Sequence, residues 1–417
     1  MEHALRCVLG LAFFCALGWL WSGRRRPDLR TVAAAIALQF ALGLIVLRTD
    51  FGARGFELAS AFAQRLIGMT EPGAQLVFGD LARADGAAGF VFAFAGRGLV
   101  VILFLSALTA VLYHLGILQL LVWLLARVMS ACMRLSGAES LVVAANVFIG
   151  MTEAPLVVRP YIARMTRSEL MAMMTGGFAT IAGSVMAVYM GLLGPQYGPH
   201  LIAASVMSAP AAFAMAKLML PETEAPQTAG RPKLVIERSA SNVVEAAAVG
   251  TSDGLKLWLN VVAMLIAFVA LVHFIDWPLG WLGELLGVEG QLTLARLFGW
   301  GLAPVAWIMG VDGWHDCQLM GSLLGTKISI NELVAYQHLI ELLPGAGAQA
   351  FEHERSATMA AYALCGFANF GSIGIQIGGL TPLVPERRAE IAKLAPRAMV
   401  AGACASWMTA VVVGALL

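Results

Sequence analysis

Glu153 and Glu332 are the side chains from which chemistry could be built, because each falls beside a stretch that reads as membrane-embedded. Glu153 lies in Asn146-Val-Phe-Ile-Gly-Met-Thr-Glu-Ala-Pro155, between the apolar run 141–149 and Leu156, Val157 and Val158. As a helix that run rises about 14 Å, half a hydrocarbon core. Gly150 and Pro155 then punctuate the chain, so the stretch reads as a re-entrant turn with Glu153 at its tip. A carboxylate at that depth costs about 2.5–3.5 kcal/mol on insertion scales and marks a substrate or ion path more often than a passive one. The bland alternative, a solvated Glu in an interfacial loop, loses weight because the second half repeats the pattern. Asn369 and Ser372 add neutral donors and acceptors there, and Phe367 an apolar face. Such a set suits an uncharged polar solute; a phosphorylated one would meet two carboxylates and no matching Lys or Arg pair.

The elements that must position these groups follow from composition and order. The chain has 417 residues, 59% hydrophobic and 13% charged, with mean hydropathy +0.79. Soluble domains carry about 25% charged residues, so a water-soluble fold is excluded in favour of an all-α polytopic membrane protein. A formal net charge of +1 gives no footprint for nucleic acid. The six cysteines show no metal or redox spacing and read as small core residues.

Residues 1–50 hold two scaffold spans around Arg24-Arg25-Arg26, which the positive-inside rule puts in the cytoplasm, leaving the N-terminus outside. Residues 51–87 read as an interfacial amphipathic helix, and 88–135 as a third span carrying Arg97 followed by a near-membrane helix. Residues 136–219 hold hairpin 1, a helix over 169–194 unwound at its centre where Gly176, Gly177, Thr180, Gly183 and Ser184 cluster, and a following span. A polar linker occupies 220–254 and a scaffold helix 255–289. Residues 290–393 hold a second hairpin with its turn at Gly310-Val-Asp-Gly313, the Glu332 helix and a second broken helix; 394–417 is the last span. That makes about eight transmembrane helices plus two re-entrant hairpins, with Asp312 and Asp316 expected to cap the second.

Gly177-Phe-Ala-Thr-Ile-Ala-Gly-Ser184 lines up with Gly366-Phe-Ala-Asn-Phe-Gly-Ser372, and Arg167-Ser168 with Arg355-Ser356 upstream. Paired, interrupted hydrophobic segments in corresponding halves point to an inverted repeat and a transporter's midplane site. An intramembrane enzyme is disfavoured: the seven histidines show no HExxH spacing and no GxSxG elbow is present. Gly321-Ser-Leu-Leu-Gly-Thr-Lys327 imitates a phosphate loop but is one residue short and lacks a flanking strand. Neither rings of charge nor hydrophobic gates argue for a channel.

Four segments together carry a family resemblance. Gly150-Met-Thr-Glu-Ala-Pro-Leu-Val-Val-Arg-Pro160, Gly321-Ser-Leu-Leu-Gly-Thr-Lys327, Asn331-Glu-Leu-Val-Ala-Tyr336 and Ala363-Leu-Cys-Gly-Phe-Ala-Asn369 resemble the concentrative nucleoside transporters of bacteria, over roughly 51–417. The resemblance implies a homotrimer with a scaffold domain and a mobile transport domain that imports nucleosides on a cation gradient. It places the nucleobase on Met151, Thr152, Glu153 and Val185, and the ribose on Glu332, Asn369 and Ser372 with Phe367 nearby. A sodium site falls on the Asn146 and Thr180 side chains and the Ile149 and Ile181 carbonyls. Na⁺ is the favoured coupling ion because those side-chain oxygens are kept; H⁺ carried by Glu153 or Glu332 is the alternative. The family pattern has Gln where this chain has Met151. A thioether donates nothing and accepts weakly, so a shifted base preference, or a different ribose-like solute, is implied.

Overall fold

A computed structural model describes residues 2–83, 93–96, 98–228, 240–288, 290–347 and 349–417, with side chains from residue 5 onward. Arg97, the start of the expected third span at 88–92 and the centre of the polar linker at 229–239 lie outside the described residues. Within them every regular element is a helix. Helices α1 (Glu2–Trp21) and α2 (Leu29–Arg48) are joined at the Arg24 cluster, where Asp28 caps α2 by accepting from the Arg30 N–H at 3.0 Å. Next come α3 (Asp50–Gly68) and α4 (Glu71–Phe78). Helix α3 buries Gly52, Ser60 and Ile67 and leaves Phe51, Leu58 and Phe62 exposed, the pattern of a helix lying in the interface. Helices α5 (Val101–His114) and α6 (Ile117–Met133) meet at a 78° bend. There Gly116 takes a φ of +82° that side chains rarely adopt.

Hairpin 1 descends as α7 (Gly137–Asn146), turns, and leaves through a 3₁₀ turn at Ala154–Val158 and a helical turn at Arg159–Ile162. Helices α8 (Arg167–Ala179) and α9 (Gly183–Leu193) are the two halves of the first broken helix, and α10 (Gly198–Met219) follows. Helix α11 (Val243–Leu285) begins inside the stretch read as polar linker. Asn242 caps it through the Glu245 N–H at 2.9 Å, a start signal outweighed in the sequence by the surrounding polar residues.

Helices α12 (Leu294–Met309) and α13 (Trp314–Ser329) reverse by 113° at 310–313, the turn expected from the sequence. The chain reverses again at Ile330, between α13 and α14 (Glu332–Glu341). It is this second reversal that carries Glu332 and stands, relative to the following broken helix, where hairpin 1 stands in its own repeat. The sequence could not separate the two because both are short apolar helices joined at a Gly or Asn. The second broken helix is α15 (Glu354–Leu364) and α16 (Phe370–Leu380), and α17 (Arg388–Leu416) closes the chain.

Helix α17 shows that the repeats are inverted. The Arg167-Ser168 pair sits at its beginning, where Arg167 pairs with Glu390 at 3.2 Å. The matching Arg355-Ser356 pair sits at its end, where Arg355 Nε donates to the Gly414 carbonyl at 2.9 Å. Equivalent sequence positions thus lie at opposite ends of one helix that rises about 43 Å, enough to cross a bilayer. Among the described residues five helices are long and apolar enough to cross alone, and seven if each bent pair counts once. The apolar part of α1, Leu5–Trp21, is shorter, which is how the count approaches the expected eight. Of the capping aspartates, Asp316 accepts from the N–H groups of Glu352 and His353, and Asp312 pairs instead with Arg355 at 2.8 Å.

Helices α8, α10 and α17 form the buried centre, whereas the apolar stretch of α11 has no residue buried. Helix α11 packs chiefly on α5 through Gly250 and Gly254, a small-xxx-small face. A Cβ at Gly250 would stand 2.6 Å from the Ser106 carbonyl oxygen and 2.9 Å from Ala107 Cα. Gly250→Val is therefore expected to cost about 1–3 kcal/mol through overpacking. It would be read as a lower unfolding midpoint in detergent; an unchanged midpoint would show that this approach is not tight.

Candidate functional site

The two broken helices meet at their breaks. Helix α8 ends at Ala179 and α9 starts at Gly183; α15 ends at Leu364 and α16 starts at Phe370. Gly366, in the second break, has a φ of +119°, and a Cβ there would lie 2.7 and 2.8 Å from the carbonyl oxygens of Phe178 and Ala179. Only a glycine lets the backbones come that close. The hairpin 1 tip closes onto this crossing. The Gly183 N–H donates to the Phe148 carbonyl at 3.0 Å. Met151 is buried against Gly177, and Thr152 packs on Gly379 of α16. One short loop thus touches both broken helices.

A buried polar cluster forms on the side of the second break. Glu332 opens α14, whose cap Asn331 accepts from the Val334 N–H at 3.0 Å. Asn369 opens α16 and accepts from the Ser372 N–H at 2.8 Å. The same Asn369 donates through Nδ2 to Glu332 Oε2 at 3.1 Å, and the Tyr189 hydroxyl donates to Glu332 Oε1 at 2.7 Å. Two helix N-termini, each carrying roughly half a positive charge, therefore support one carboxylate. Tyr336, 4.7 Å from Tyr189 between ring centroids, fixes its own hydroxyl on the Ala361 carbonyl at 2.8 Å. The ribose-side set read from the resemblance, Glu332, Asn369 and Ser372, is brought together; Phe367 is half-buried beside it.

The base-side set is more dispersed. Glu153 is exposed at the hairpin 1 tip. No hydrogen bond joins it to Glu332 among the described residues. Val185 is half-buried on α9, one turn before Tyr189. Tyr189 was missed in the sequence; its signal was this i, i+4 spacing, which puts both on one helix face. Gln376 was missed too: its Nε2 donates to the Met174 carbonyl at 3.0 Å, and it approaches Gly177 beside Met151. Lys327, dismissed with the false phosphate loop, is fully buried near Glu332.

The residues expected to hold a cation gather at the first break. Asn146 ends α7, and its Oδ1 is buried with no hydrogen-bond donor. Thr180 caps α8, and its hydroxyl shares its proton between the carbonyls of Asn146 at 3.0 Å and Gly176 at 2.9 Å, leaving its lone pairs free. Among the described residues no hydrogen bond reaches the carbonyl oxygens of Ile149 or Ile181. An orphaned amide oxygen with a hydroxyl and two free carbonyls is a hard-oxygen set that fits a small cation. A third cluster, Asp316 with Glu352 and His353, has the spacing for a metal, but both Asp316 oxygens are taken by N–H groups leading into α15.

Three family models match the chain. The Na⁺ dependent nucleoside transporter N-terminus matches residues 9–81, its C-terminus 200–414, and a nucleoside recognition (Gate) model 95–196. The chain belongs to the concentrative nucleoside transporter family. It is 42% identical to rat solute carrier family 28 member 3 over 98% of its own length and 58% of that protein. It is 40% identical to rat sodium/nucleoside cotransporter 1, over 98% of its length and 63% of the relative. An uncharacterized transporter of Haemophilus influenzae is 41% identical, with 98% and 97% covered. The chain thus spans about three fifths of the mammalian proteins and nearly all of the bacterial one. A structure of CNTnw in an inward-facing substrate-bound state superposes with a TM-score of 0.91 at 41% identity, covering 99% of this chain and 98% of that one. An outward-facing structure of a CNTnw variant gives 0.90 at the same identity, with 99% and 97% covered.

Tyr189→Phe deletes one donor to a buried carboxylate and leaves Glu332 Oε1 unsatisfied. The expected cost is about 1–3 kcal/mol, read as a lower unfolding midpoint. The same change in a Glu332→Gln background should cost less, and equal losses in both would show that the hydrogen bond carries nothing.

Proposed function

We propose that the protein is a secondary active importer that carries nucleosides across the cell (inner) membrane by alternating access, coupled to Na⁺, with H⁺ as the alternative ion. The observation that carries the reading is the Glu332–Asn369–Ser372 cluster at the second break. An ionised carboxylate has about four acceptor positions. Tyr189 and Asn369 use two. Those remaining suit a vicinal pair of hydroxyls, which a ribose presents and a free base does not. Asn369 keeps a second amide hydrogen and Ser372 its hydroxyl for the same ligand. Met151, Thr152, Glu153 and Val185 form the base side, with Phe367 as an apolar wall. The orphaned Asn146 Oδ1, with Thr180, Ile149 and Ile181, receives the co-transported cation. Because hairpin 1 bridges both breaks, a cation there tightens the loop that carries the base contacts, which couples the two ligands.

Helices α5 and α11 belong to the static scaffold, since α11 is bound to the rest mainly through α5 and exposes its apolar surface to lipid or to other subunits of a homotrimer. The hairpins and broken helices move against it. The Arg24 cluster keeps its turn cytoplasmic and the N-terminus outside. A second reading, a different ribose-like or polar uncharged solute, draws on Met151, whose thioether stands where the family resemblance implies an amide.

Proteoliposomes under an inward Na⁺ gradient are expected to concentrate uridine or adenosine. Charge-assisted hydrogen bonds contribute about 1.5–3 kcal/mol each, so Glu332→Gln should reduce uptake by more than tenfold, about the loss of one such bond. Asn146→Ala should raise the Na⁺ concentration needed for half-maximal uptake, and Met151→Gln should reorder purine and pyrimidine preference. Uptake driven by a pH gradient alone would replace Na⁺ with H⁺. Folded protein that moves neither nucleoside would favour the other solute.

A further inference from the structure

The first break takes its positive charge from solution; the second carries one of its own. Lys327 lies in the last turn of α13 and is completely buried. Its Nζ donates to the carbonyl of Ala363 at 3.0 Å and approaches that of Cys365 at 3.4 Å. These are the carbonyls at the end of α15, where Cys365 caps the helix. Asn146 has the same station in the first repeat: it is in the last turn of α7, facing the end of α8, where Thr180 is the cap. The two repeats therefore put different groups in one architectural position. One offers a neutral amide whose oxygen lacks a donor; the other inserts an ammonium into the free carbonyls.

The charge has a reason to be there. A half-helix C-terminus carries roughly half a negative charge on its unpaired carbonyls, and in a membrane no water relieves them. Glu332, the candidate ligand of the same break, stands across the Ile330 reversal from Lys327. The two contact one segment, Lys327 the Ala363 and Cys365 carbonyls and Glu332 the Asn369 amide, without a direct ion pair between them. A buried carboxylate whose partner charge is lost is strongly destabilising.

We propose that Lys327 is a built-in cation: at the second break its ammonium does what the coupling cation does at the first, neutralising the helix end and keeping Glu332 ionised to receive the solute's hydroxyls. The solute part of this inference rests on the transport reading above; the charge balance between Lys327 and Glu332 does not.

The test uses full-length purified protein, with tritiated uridine binding and thermal unfolding measured side by side at saturating Na⁺. Lys327→Met keeps the apolar stem without the charge, and Lys327→Ala leaves room for a small amine. Both are expected to weaken uridine binding by about tenfold or more, the loss of one charge-assisted contact. Methylammonium chloride should restore binding and the unfolding midpoint to Lys327→Ala but not to Lys327→Met, and tetramethylammonium chloride at equal concentration should restore neither. Lys327→Met/Glu332→Gln should unfold at a higher temperature than Lys327→Met, since no buried charge is left alone. Native uridine affinity in Lys327→Met would overturn the proposal. So would equal instability of the single and double variants, including failure of both to fold. Native protein that binds neither uridine nor, in a parallel assay, adenosine would overturn the transport reading alone, and the unfolding comparison would still decide the role of Lys327.

Discussion

Backbone groups that leave the helical ladder inside a bilayer must find partners within the protein. This molecule breaks the ladder twice, at 180–182 and 365–369, and presses the two breaks together through Gly366. The free N–H and carbonyl groups that result are what the candidate site is built on. Asn369 turns one helix start toward Glu332, Thr180 turns one helix end toward Asn146, and Lys327 is spent on the remaining helix end. The candidate ligands and the structural repairs fall on the same residues, so Glu332, Asn369 and Thr180 also hold the fold at their own breaks.

The breaks need rigid surroundings, and buried charge supplies them. Lys217 near the end of α10 pairs with Glu139 at 2.7 Å and Glu222 at 3.6 Å and donates to Ser168 at 3.0 Å. Ser136 and Thr166, caps of α7 and α8, donate to Glu169 at 2.5 Å and to Glu222 at 2.7 Å. Three elements are thereby tied at the base of hairpin 1. At the opposite end, Arg355 donates to Gly310 and Asp312 within the 310–313 turn and to Gly414, tying that turn to the end of α17. A buried pair of this kind adds little net stability over apolar packing, but breaking one partner is costly. Its consequence is register: it fixes where each hairpin stands relative to its broken helix.

Much of this was legible in the sequence because it follows from short-range rules. Gly and Ser clusters inside apolar runs marked both breaks, and Gly150 with Pro155 marked the hairpin 1 turn. What was misplaced depended on choices between equivalent local signals. The reversal at 310–313 and the one at Ile330 look alike by composition, and only packing shows which carries Glu332. The start of α11 was hidden because polar residues at the head of a long helix read as linker until Asn242 is seen to cap it. Tyr189 was passed over because a tyrosine in a glycine-broken apolar helix is ordinary alone, and Lys327 because it was weighed only as part of an imitation phosphate loop.

The sequence by itself determined the solvent, the helical class, the repeat and the candidate ligands, since hydropathy, helix breakers and residue types are properties of the chain read in order. Tertiary structure decided which ligands share a site and what balances their charge. Tyr189 and Glu332 are 143 residues apart and meet at 2.7 Å; Lys327 and the Ala363 carbonyl are 36 apart and meet at 3.0 Å. Contacts across such separations arise from how the inverted halves interlock, and no local periodicity encodes that.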